Sequence, residues 1–151
     1  MFRTQKGDKG GLLWWNLHDG WPLLSDAVVD YYHSKKLAYY FIQRVQYNEI
    51  VSINDDNNVV CVNDTLKDCN VSIKITDVES GKVVYQVSDV VVPANSAKKL
   101  SAIGELNGQG MLLIEYTANG QARKNHFLYG KPPFDFKKCM EWKNALGIKR
   151  N

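Results

Sequence analysis

Residues 111–129, MLLIEYTANGQARKNHFLY, decide the fold class. Asn119-Gly120 stands between two strand-like runs, 111–117 and 121–129. Asn-Gly is the dipeptide that most readily takes the positive φ angles of a two-residue hairpin turn. The reading is two antiparallel strands joined by a tight turn. Upstream, residues 70–78 alternate, with Val71, Ile73 and Ile75 on one face and Ser72, Lys74 and Thr76 on the other. That is the period of a half-buried strand. Ser80-Gly81 marks a turn into a further strand at 83–87. Residues 90–92 precede Pro93, which suits an edge or a crossing between sheets, because proline donates no ladder hydrogen bond. Short strands are also expected at 49–53 and 59–63, separated by the polar turn Asp55-Asp56-Asn57-Asn58, with a weaker one at 97–102.

Seven or so short strands at this spacing predict a mainly β fold, an immunoglobulin-like β-sandwich over residues 48–130. Lys131-Pro132-Pro133 breaks the sheet and opens a C-terminal tail, 131–151. Asp135 can cap a short helix over 136–146, with Phe136, Cys139, Met140 and Trp142 on or near one face and Gly147 as its stop.

The first third of the chain reads differently. Residues 11–22 are GLLWWNLHDGWP, with three tryptophans inside eight positions and Asn16, His18 and Asp19 among them. Two readings are open. A strand end that opens into a sugar pocket uses flat indole faces against pyranose rings and polar tips for hydroxyls. A Trp-rich packing corner is the structural alternative. Residues 11–17 read as a strand buried on both sides, as parallel barrel strands are, ended by Asp19, Gly20 and Pro22. Ser34 is placed to N-cap a helix over 35–46, whose apolar face is Leu37, Ala38, Phe41, Ile42 and Val45.

Gly11, Trp15, Leu17, Asp19, Trp21, Pro22, Ser25, Asp30, Tyr31, Tyr32, Lys36, Tyr39 and Tyr40 fall in one longer register. It is of the type G-x-x-x-W-x-L-N-D-x-W-P-x-x-S, then D-Y-Y, a lysine and a Y-Y helix. This resembles the last strand and last helix of the catalytic barrel in glycoside hydrolase family 2, in its β-mannosidase-like branch. The β-galactosidase and β-glucuronidase branches share the Trp and the Asp four residues later but lack the W-P-x-x-S continuation. His18 stands where asparagine is usual, and Asn16 where glutamine or cysteine is common; both departures bear on fine sugar preference.

The resemblance implies that residues 1–47 are the C-terminal remnant of a (β/α)8 TIM barrel, followed by the sandwich and the helical tail. It implies a parent that is a retaining, exo-acting glycoside hydrolase releasing terminal β-linked sugars. Such hydrolysis needs two carboxylates, and in this family both are glutamates on earlier barrel strands. No catalytic residue is therefore expected in this chain, which alone should be inactive. A barrel takes about 250 residues and the chain has 151, so a C-terminal piece is expected, its residues 11–46 packed by the remainder of the parent. The implied partner is a β-linked oligosaccharide or glycoside, and no cofactor is implied. Polysaccharide-degrading relatives are often exported by bacteria, which points to a periplasmic or secreted parent.

Trp15 is the first candidate for substrate binding; the resemblance places it at the floor of the subsite holding the sugar to be cleaved. Trp14, its neighbour on the strand, should point the other way and pack on the helix layer. Trp21 is a pocket wall or a lid. His18 could hydrogen-bond a sugar hydroxyl. Asp19 could orient a hydroxyl or a neighbouring side chain, or simply cap the turn before Gly20. Asp30 should anchor the loop ahead of the helix. Lys36 is expected to pair with an acidic group outside this chain. Trp142 should pack on the sandwich, and His33 and His126 read as surface or strand positions.

Net charge is +3, from 19 basic and 16 acidic residues, too balanced to imply nucleic acid or an anionic membrane. No apolar run reaches the length of a membrane span, and residues 1–10 lack the apolar core of a signal peptide. Cys61, Cys69 and Cys139 show no metal-site spacing; Cys61 and Cys69 could face each other across adjacent strands. Asn63 and Asn70 lie in N-x-T and N-x-S matches and read as strand-end polar residues. The other function class is a free-standing β-sandwich for carbohydrate binding or adhesion, without catalysis. An autonomous module would have no use for the barrel-like segment at its N-terminus.

Overall fold

The computed structural model describes residues 2–8 and 11–148. Seven strands form two antiparallel sheets. The smaller sheet has the order β1 (Glu49–Ile53), β2 (Asn58–Asn63), β5 (Ser96–Ala102). The larger has the order β4 (Val83–Val92), β3 (Cys69–Asp77), β6 (Gly110–Ala118), β7 (Gln121–Tyr129). The hairpin that decides the fold class is present: Ala118 pairs with Gln121, and Asn119 and Gly120 take φ of 50° and 79°. Two positive values in succession define the turn whose twist matches the flanking strands.

Alternation sets the core. Val51, Ile53, Val59 and Cys61 from the small sheet meet Val71, Ile73, Ile75, Leu112, Ile114 and Tyr116 from the large one. The inner faces thus close on each other, as in a sandwich. Strands 83–87 and 90–92 are one continuous strand. A register shift between Val71 and Ile73, with Asp89 at φ 57°, supplies the irregularity that the sequence suggests as a break. Cys61 and Cys69 lie on strands of different sheets, β2 and β3. Both are free and buried in the shared core; burial raises both thiols, Cys61 to about 12. Asn63 is buried and donates to the carbonyls of Lys67, Val92 and Pro93, while its oxygen accepts from Thr65.

Two helices lie against the outer faces. Helix α2 (Phe136–Ala145) starts where Asp135 accepts from Lys138 N, and Gly147 follows it at φ 69°. Its Trp142, with Leu146 and Ile148, covers Met111 on the outside of β6. The Trp142 indole N–H donates to Glu79 at 2.8 Å, and Lys138 pairs with the same carboxylate. Helix α1 (Leu37–Val45) sets Tyr40 and Phe41 against that same cluster and Val45 against Ile50, Val60 and Val62 of the small sheet. The end of α1 and the residues after it are held by Arg3, which donates to the carbonyls of Val45, Tyr47 and Asn48 and pairs with Asp64.

Two local expectations are corrected. Residues 11–17 form no strand; the segment makes only an isolated bridge, His18 to Val29. A parallel strand takes its ladder from neighbours on both sides, and no such neighbours flank it among the described residues. Ser34 does not cap α1. Its N–H and C=O are engaged by Asp30, whose carboxylate accepts the first and whose N–H donates to the second. Asp30 therefore anchors the loop as expected, and the N-cap position falls to Lys36, whose side chain does not cap.

Candidate functional site

The N-terminal motif is organised by one buried carboxylate. Asp19 is 4% exposed, an unusual position for an aspartate unless it is paired. Oδ2 lies 2.8 Å from Lys36 Nζ, and Oδ1 accepts from the Ser25 hydroxyl. Lys36 also donates to Ser25 O, and the Ser25 hydroxyl oxygen accepts from Ala27 N. Backbone bonds support this: Asp19 N donates to Val29 O, Val29 N to Leu17 O and Lys36 N to Val28 O. The hydrogen bonds from Lys36 and Ser25 hold the Asp19 carboxyl below its ordinary range despite burial. The acidic partner of Lys36 is therefore Asp19, inside this chain. Asp19, Ser25 and Lys36 all belong to the thirteen-position register, and the structure brings these three together.

The clamp holds its neighbours without covering them. Trp15 is 81% exposed, Trp21 69% and Leu13 97%. Trp14 is 51% exposed, so it does not pack as the strand parity suggested; with no strand formed, there is no parity to sort the two indoles. His18 stacks on His33, ring centroids 4.7 Å apart at 15°, with His33 at φ 65°. Fifteen residues separate the two, and nothing in the sequence announced the pairing. Among the described residues no third metal-ligating side chain joins them. The indoles, the imidazole pair and exposed Tyr31 and Tyr32 give this segment flat rings and hydrogen-bonding tips.

No protein-family model matches the chain. Curated relatives do, over a short stretch, among them β-mannosidase B of Aspergillus niger, 49% identical over 47 residues, and β-mannosidase B of Emericella nidulans, 47% over 47 residues. The match takes 29% of this chain and 6% of either relative. Among solved structures, the β-D-mannosidase of Dictyoglomus thermophilum superposes with a TM-score of 0.67 at 26% identity, over 85% of this chain and 17% of that one. The chain is similar to the C-terminal part of β-mannosidase-like glycoside hydrolases. It spans a small fraction of the length of each relative. The structural match takes 85% of this chain, so the β-mannosidase likeness includes most of the sandwich.

Proposed function

We propose that this chain is the C-terminal part of a retaining, exo-acting β-mannosidase, contributing one side of the sugar subsite and an accessory domain. In this reading residues 1–47 end a (β/α)8 catalytic barrel, 48–130 are an immunoglobulin-like sandwich and 131–151 a helical tail. The order β1-β2-β5 against β4-β3-β6-β7 favours the immunoglobulin-like description. Trp15 stacks on the sugar being cleaved, Trp21 walls the pocket and His18 takes a hydroxyl. Asp19, occupied by Lys36 and Ser25, orients the loop that carries them. The acid and the nucleophile come from outside the chain.

The observation that carries this reading is the exposed apolar run. Leu13, Trp15, Leu17, Trp21 and Leu24 are between 69% and 102% exposed. Large apolar side chains this exposed within twelve residues mark an interaction site, and the remainder of a catalytic domain is the occupant that the mannosidase likeness favours. Those matches lend no weight to a free-standing adhesion module. The test is incubation of the pure chain with 4-nitrophenyl β-mannoside, β-glucoside and β-galactoside. No turnover above a buffer control is expected; specific turnover of any of them refutes the division of labour.

A further inference from the structure

The outer face of the large sheet is divided in two. Its upper half, Met111 and Leu113, is covered by the helices. Its lower half is open. There the cross-strand register sets Gln86, Lys74, Glu115 and Lys124 in one row. Beside it runs a row of short side chains, Ser72, Thr117 and Ala122. Long side chains next to short ones leave a trough. Helix α1 walls it with Tyr40, Gln43 and Arg44, and residues 146–148 close one end, enclosing about 730 Å³. That is within the range of small-molecule sites, about 300–1,000 Å³. None of its lining comes from residues 11–36, so it is separate from the aromatic motif.

The trough carries an excess of positive charge. Among the described residues Glu115 is its single carboxylate, and it is paired with Lys124 at 3.1 Å. Arg123 is paired with Glu49. Arg44 and Lys74 have no carboxylate partner among the described residues; Arg44 donates to Leu146 O at 2.6 Å and is partly buried. A guanidinium withdrawn from water without an anion is costly, and its planar fork fits a carboxylate. Around these cations stand groups suited to sugar hydroxyls. The Ser72 oxygen accepts from Asp89 N, which leaves its O–H to donate. Thr117, Gln86 and Gln43 add further donors and acceptors, and Tyr40 and Tyr47 add ring faces.

We propose that this trough binds a carboxylate-bearing saccharide, with Arg44 and Lys74 on the carboxylate and Ser72, Thr117 and Gln86 on the hydroxyls. The site does not depend on the subsite reading above, since it shares no residue with it. The test is an NMR titration of the isotope-labelled chain with trigalacturonate, mannotriose and succinate. Trigalacturonate is expected to shift the amides of Lys74, Thr117 and Lys124 with saturation, and Lys74→Glu to weaken it about tenfold or more, a change of about 1.4 kcal/mol. Thr117→Trp fills the trough at an exposed strand position and leaves every charge in place; it is expected to abolish binding. Mannotriose binding as tightly as trigalacturonate overturns the role of charge, and succinate doing so overturns the saccharide. Undiminished binding to Thr117→Trp, or no saturable shift with any probe, overturns the site.

Discussion

Lys36 Nζ lies 2.8 Å from Asp19 Oδ2, and the two residues are 17 positions apart in the chain. One lies within the tryptophan motif and the other at the start of α1, so their contact closes the loop that carries Trp21, Ser25 and Asp30. The pair makes the motif one folded unit. We predict that Asp19→Asn and Lys36→Met each lower Tm. The double variant should lose less than the sum of the two, because breaking one side strands the other charge. Thermal melts of the four proteins check this; strictly additive losses would mean that the pair is not coupled.

The same clamp gives a pH dependence with a defined sign. The carboxyls of Asp19, Asp64 and Glu79 are all held below their ordinary values of 3.8, 3.8 and 4.5, Asp19 and Glu79 chiefly by hydrogen bonds to lysine and Asp64 by Lys6 and Arg3 against its burial. A depressed carboxyl contributes stability above its unfolded pKa and loses it as pH falls through the folded one. Stability measured by denaturant unfolding should therefore fall steeply below about pH 4, and Lys36→Met should shrink that slope.

His126 acts in a higher window. It lies on β7 beside the Phe41 ring at 5.0 Å, and its buried Nδ1 has no hydrogen-bond partner among the described residues. Burial, with Arg44 nearby, pushes its pKa from 6.5 down to about 4. The unfolded chain then takes up a proton first on acidification. Stability is flat above about pH 6.5 and declines between 6.5 and 4, by about 3 kcal/mol at most. His126→Gln should flatten that interval and leave the steeper carboxylate fall below it. A wild-type stability that stays level from pH 6.5 to 4 would contradict the assignment.

Asn63 is the polar group that joins the strand ends. Removing its side chain takes a donor from the buried carbonyl of Val92, while Pro93 O keeps the Ser96 hydroxyl, and Asn63→Ala should cost about 2–3 kcal/mol. Asn70→Ala, on an exposed site, should stay within about 0.5 kcal/mol. Urea unfolding of the two variants makes the comparison.

Much of this was legible in the chain. Strict alternation at Val71, Ile73 and Ile75, the Asn119-Gly120 turn and the Asp135 cap are local signals, each backed by tertiary packing. The motif at 11–46 was legible as a resemblance, but its internal geometry was not. Strand parity assigned Trp14 and Trp15 to opposite faces, and parity has meaning only where a ladder fixes the pleat. The Lys36–Asp19 and His18–His33 contacts cross 17 and 15 residues, distances set by loop closure that no periodicity records. The trough leaves no local signal because its rows come from four strands, and only register brings Lys74 beside Glu115 and Glu115 beside Lys124.

Exposed tryptophans make a further prediction on the isolated chain. With Trp14 51% and Trp15 81% exposed, alanine at either site should change its unfolding free energy by about 0.5 kcal/mol or less. A loss of several kcal/mol for Trp14 would mean that it is buried after all.

We propose that this chain supplies sugar contacts to a mannosidase active site whose acid and nucleophile lie elsewhere. The most direct measurement is kcat/KM for 4-nitrophenyl β-mannoside in a chimaera. In it, this chain replaces the matched 17% of the Dictyoglomus thermophilum β-D-mannosidase. Turnover is expected with Trp15 present. Loss of about 2–4 kcal/mol of transition-state stabilisation is expected in Trp15→Ala, since a ring that holds the distorting sugar acts on the transition state. Equal kcat/KM for the two folded chimaeras would contradict it.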